Sequence, residues 1–83
     1  MSKQTKLIEK LKKRPRNFTF DEAESLLFSL GFRRTKLGKT SGSRVSYEHN
    51  GLDIRMHKPH PQKELKPYQV TDLLRQLERE GLI

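Results

Sequence analysis

The chain contains no cysteine and no tryptophan, and apolar residues fill only 31% of its 83 positions. Without thiols there is no disulfide framework and no thiolate metal site, which fits a reducing compartment. Three histidines without cysteine give little support to a zinc site, so no metal is expected. No apolar run is long enough to cross a bilayer or to act as a signal peptide. A cytoplasmic protein without membrane contact is therefore expected. There is no phosphate-cradling glycine loop, since "SGS" at 41–43 is too short, and no cofactor is expected. Acid is scarce too. Ten Asp and Glu stand against eighteen Lys and Arg, a net charge of +8. Such a surplus on a small domain favours a polyanionic partner, nucleic acid first. A solvated basic surface and an acidic protein partner are the alternatives.

The length suits one small domain with a thin core. Residues 1–16 form a basic helix or arm. Leu7, Ile8 and Leu11 recur at helical spacing, Pro15 stops the run, and seven of the eighteen basic residues lie here. Its apolar face is too narrow for a membrane-surface helix. The main domain, residues 17–83, opens with "FTFDEAESLLFSLGF". Thr19 and Glu22 have capping-box spacing, Asp21, Glu22 and Glu24 suit the positive end of the helix dipole, and Ala23, Leu26, Leu27 and Leu30 line one face. Gly31 supplies the stop, and Phe32 folds back. "FRRTKL" is a first strand and "GKTSG" a flexible turn.

"SRVSYEHNGLDIRMHKPH" then reads as a hairpin. Asn50-Gly51 favours a two-residue type I′ turn, in which both residues take positive φ. That turn sets Tyr47 opposite Ile54 and Val45 opposite Met56 on one face. On the other, Glu48 faces Asp53, Ser46 faces Arg55, and Arg44 faces His57. "HKPHPQKELK" is a loop. Pro67 opens a last helix with Val70, Leu73, Leu74 and Leu77 on one side, Gly81 ends it, and Leu82 and Ile83 tuck back. The fold class is α+β: a three-stranded antiparallel sheet with helices packed on one face, in the order (α)αβββα. This is the arrangement of the double-stranded-RNA-binding domain.

"GFRRTKLGKTSGSRVSYEHNG" followed by "HKPHPQKELKPYQVTDLLRQLEREGLI" resembles the HicA family. The likeness covers about Thr19 to Ile83. It rests on the Gly31-Phe32 helix exit, the Gly42-Ser43 step before the second strand, Tyr47 within it, and the later proline and histidine before "KELKP". The resemblance implies a toxin of a bacterial toxin–antitoxin module, an mRNA endonuclease, neutralised by a cognate HicB-type antitoxin. It implies a catalytic histidine after the Gly-Ser step, and here that position is Arg44.

Cleavage of RNA by its own 2′-hydroxyl needs a base, an acid and a cation for the phosphorane. Imidazole suits proton transfer near neutral pH, whereas arginine stays charged and suits the phosphate. His57, across from Arg44, is the candidate proton-transfer group. His60, between Pro59 and Pro61, is the second candidate; a loop-packing role is its alternative. His49 is taken as a strand-end residue. Arg44, Ser43, Arg55, Lys58, Lys66, Arg33 and Lys39 are the candidate RNA- and phosphate-binding residues, with Arg34, Lys36 and Lys63 adding charge around the sheet. Lys66, as N-cap of the last helix, has no oxygen for the free N–H groups there, which favours a phosphate. Tyr68 stacks on a base or packs in the core, and core packing is expected. The functional alternatives are a non-catalytic relative that binds RNA or antitoxin, and a plain protein-interaction module.

Overall fold

The computed structural model of the chain describes residues 3–35, 44–59 and 61–83. The turn expected over 38–42 lies outside them. In order come α1 (Lys3–Lys12), α2 (Phe20–Ser29), β1 (Arg33–Thr35), β2 (Arg44–His49), β3 (Leu52–His57) and α3 (Pro67–Arg79). The strands form one antiparallel sheet in the order β1-β2-β3. Asn50 and Gly51 turn the hairpin at φ of 50° and 80°, as a type I′ turn requires. The register follows: Tyr47 opposite Ile54, Val45 opposite Met56, and Arg44 opposite His57.

One face of the sheet carries the core. Tyr47, Ile54 and Met56 are buried there against Leu26 and Leu27 of α2 and Val70, Leu73, Leu74 and Leu77 of α3. Each fully buried side chain of this size contributes roughly 1.5–3 kcal/mol. Helix α1 joins the same core through Leu7 and Leu11, of which Leu11 is wholly buried. Its Lys10 ammonium reaches the Glu22 carboxylate at 2.7 Å. The face of the sheet turned away from the helices carries Arg33, Arg44, Glu48, Asp53, Arg55 and His57, all exposed.

Both major helices start and stop as the sequence directs. Thr19 caps α2, its hydroxyl accepting from the Glu22 N–H at 3.1 Å while the Thr19 N–H donates to the Glu22 carboxylate at 3.0 Å. At the far ends Phe32 N–H donates to the Leu27 carbonyl and Leu82 N–H to the Leu77 carbonyl, each at 2.9 Å. These are the closing bonds of a Schellman motif. Gly31 is required twice over at its turn. Its φ is +100°, and an added Cβ would come within 2.8 Å of the His49 ring, which packs on Phe32 at 5.3 Å between centroids.

The loop after β3 is tied down by a contact no local motif announced. Phe20 N–H donates to the Lys63 carbonyl at 2.9 Å, and Leu65 N–H to the Phe18 carbonyl at 2.8 Å. This short antiparallel clasp buries Phe18 and Leu65. It also fixes the approach to α3.

Two predictions follow from these contacts. Burial opposes ionisation of Glu22, but the Lys10 ammonium and the Thr19 hydrogen bonds outweigh it and hold the carboxyl below its ordinary range. A group whose pKa falls on folding stabilises the fold above its unfolded value and loses that effect as pH drops through the folded one. Urea unfolding should therefore find Glu22→Gln weaker than wild type by about 1 kcal/mol at pH 7, with the gap closing below about pH 4. Second, Gly31→Ala should destabilise by about 1–2 kcal/mol or more. The same change in a His49→Ala background should cost less, because the ring it meets is gone, and a double-mutant cycle reads that difference.

Candidate functional site

The hairpin geometry decides how near Arg44 and His57 stand. In a two-residue hairpin the pair next to the turn, His49 and Leu52, is hydrogen-bonded, and the pairs then alternate. Glu48–Asp53, Ser46–Arg55 and Arg44–His57 are thus the non-hydrogen-bonded pairs. In such pairs the Cα atoms lie only about 4.5 Å apart and the side chains emerge close together. The His57 carbonyl then points outward from β2, and Gln69 meets it there: its Nε2 donates at 2.9 Å. The Gln69 Oε1 in turn accepts from the Lys66 N–H at 2.9 Å. One side chain therefore caps α3 and braces the end of β3 that carries His57.

Charge on the exposed face is sorted along the strands. Glu48 and Asp53 sit next to the turn, and Arg44 and His57 lie at the far end, with Arg55 between them on β3. Asp53 and Arg55 approach only to 4.0 Å, both more than half exposed, which is worth little. Arg33 is opposite Glu48 on β1. Among the described residues neither Arg44 nor His57 has an ion-pair or side-chain hydrogen-bond partner, so both side chains are available to a ligand. Thr35 and Ser46 stand opposite one another in register, and their buried hydroxyls find no hydrogen-bond partner among the described residues.

The structure thus brings Arg33, Arg44, Arg55 and His57 onto one face. Lys58 and Lys66 are exposed but belong to the helical side: the Lys58 ammonium lies 5.9 Å from the Phe20 ring centroid of α2, and Lys66 is the N-cap of α3. Lys39, Ser43 and His60 lie outside the described residues. No group of three His, Asp or Glu side chains among the described residues converges as metal ligands would.

Two sequence-based assignments need correction. Arg34 is not a free surface cation. It pairs with Tyr47 across β1–β2, which turns it toward α2, and its guanidinium is bonded to the Glu24 carboxylate. The Tyr47 hydroxyl donates to the same carboxylate at 2.5 Å. Burial and that bond push the Tyr47 phenol far above its ordinary pKa and so keep it a proton donor, while the Glu24 bond raises Arg34 as well. The parity of β1 against Tyr47 was the signal for this network. The second correction is Tyr68, which does not pack in the core: it is 57% exposed, on the first turn of α3 beside His57.

The family model described as the HicA toxin of bacterial toxin-antitoxin matches residues 20–78. That is more than half of the chain. No curated protein and no solved structure matches it. No helix among the described residues is long and apolar enough to cross a membrane.

The double duty of Gln69 is open to a direct check. Gln69→Ala removes both bonds and should lower stability by about 1–2 kcal/mol. Gln69→Glu keeps an acceptor for the Lys66 N–H but has nothing to donate to the His57 carbonyl, so urea unfolding should place it between Gln69→Ala and wild type. Equal stability of all three would show that the brace carries no weight.

Proposed function

The chain belongs to the HicA toxin family of bacterial toxin–antitoxin systems, and from that premise we propose that it is an RNA endonuclease working on the exposed face of its sheet. Membership implies an antitoxin partner. The observation that carries the reading is the Arg44–His57 pair, side by side, exposed and without an ion-pair or side-chain hydrogen-bond partner among the described residues. The net charge of +8 supports a polyanionic substrate.

In this scheme RNA crosses the face at the end away from Glu48 and Asp53, which repel phosphate. Arg44 holds the scissile phosphate through its planar fork. His57 takes the proton from the ribose 2′-hydroxyl. The 2′ oxygen bonds to phosphorus and the bond to the 5′ oxygen breaks, leaving a 2′,3′-cyclic phosphate and, once that oxygen gains a proton, a 5′-hydroxyl. His60, three residues on, is the second imidazole for that proton transfer. No step calls for a metal ion. The antitoxin silences the toxin by covering the same basic face.

A second reading shares the face but not the chemistry. Arg44 itself favours it, because a guanidinium cannot exchange a proton near neutral pH. The protein would then bind RNA without cutting it. Incubation of purified protein with RNA in EDTA separates the two. Cleavage with cyclic-phosphate ends is expected, falling by about 10²-fold or more in His57→Ala and by a similar factor in Arg44→Ala. Both side chains are exposed, so the variants should unfold at the wild-type urea concentration. Undiminished cleavage by His57→Ala removes that residue from the chemistry. A gel shift with no cleavage by the wild type establishes the second reading.

A further inference from the structure

A groove of about 100 Å³ runs between β3 and α3, walled by Arg55 and His57 on the strand and by Tyr68, Gln69, Asp72 and Gln76 on the helix. Tyr68 and Asp72 are four residues apart and so share one side of α3. The Gln69 bond to the His57 carbonyl sets the start of the helix beside the end of the strand. From there the two run in opposite directions. Four helical residues advance about 6 Å and two strand residues about 6.5 Å. Tyr68 therefore stands level with His57, and Asp72 level with Arg55. Among the described residues Tyr68 is one of two large hydrophobic side chains left exposed. Among the described residues neither its hydroxyl nor the Asp72 carboxylate has a partner.

These groups match one ligand class. An exposed aromatic ring next to cations is a platform for an unpaired base, since every base has a face to stack. A carboxylate only accepts hydrogen bonds, so beside such a ring it favours a base edge with an amino group. Adenine, cytosine and guanine carry one. Uracil does not: its one edge donor, N3–H, lies between two carbonyl oxygens that a carboxylate reaching for it would also meet, so it fits less well. A base in a duplex is already stacked and paired, and cannot enter.

We propose that the groove is a base subsite: an unpaired RNA base stacks on Tyr68 and donates its exocyclic amino group to Asp72, seating its ribose-phosphate against His57 and Arg44. The subsite rests on the reading of the exposed face as an RNA surface, and it makes single strands rich in amino-bearing bases the substrate class.

Fluorescence anisotropy with short labelled oligo-A, oligo-C and oligo-U tests it. The wild type should bind oligo-A and oligo-C more tightly than oligo-U, by roughly five-fold or more. Tyr68→Ala should weaken binding to all three by about five- to a hundred-fold. Asp72→Asn, whose amide can donate to uracil, should shrink the preference against oligo-U. Matched urea midpoints confirm that these surface variants keep the fold. If both variants bind every strand as the wild type does, or if duplex RNA competes as well as single strands, the subsite is wrong although RNA binding stands. If Tyr68→Ala spares RNA binding and instead loosens the antitoxin, the groove belongs to the protein partner and the proposal is overturned. A wild type that binds no RNA even at low salt refutes the RNA surface itself, and the subsite with it.

Discussion

The alternation of side chains along β2 and β3 is the constraint on which the rest depends. A sheet with one dry face and one wet face tolerates no slip, because a shift of one residue exchanges the two. Here it would drive Arg44, Arg55 and His57 against the leucines of α2 and α3, and turn Tyr47 and Ile54 out to water. Burying an unpaired guanidinium is expensive. The Asn50-Gly51 turn and the core choose the same register, so the neighbourhood of Arg44 and His57 is settled by folding forces alone.

The same sorting decides which cations remain available. On the helical side, Lys10 is held by Glu22 and Arg34 by Glu24. Both acids belong to α2, so these two cations are spent on structure. On the opposite face the nearest acids, Glu48 and Asp53, are gathered at the turn, and Arg44 keeps its charge for a ligand. A net charge distributed at random would give no such asymmetry between faces.

Much of this was legible in the residues because local and tertiary signals agreed. Asn-Gly fixed the turn, parity fixed the register, and Gly31 and Gly81 marked the helix ends. Arg34 was misread because β1 is only three residues long and offers no pattern of its own; its side follows from pairing with Tyr47. Tyr68 was misread although periodicity held the answer. At about 100° per residue it falls almost opposite the stripe through Val70, Leu73, Leu74 and Leu77. The clasp between Phe18–Phe20 and Lys63–Leu65 had no signal to find, because neither segment alternates long enough to announce a strand. Gln69 escaped notice for a related reason: its capping role is local, but its bond to His57 exists only once α3 has docked.

The docking of α1 bears on how small this toxin can be made. The segment matched to the family begins at residue 20, yet Leu7, Leu11 and Phe18 share one buried cluster with the leucines of α2 and α3. A chain trimmed to the matched segment would open that cluster to water and strip Glu22 of its lysine. The buried core therefore extends beyond the segment that the family model matches.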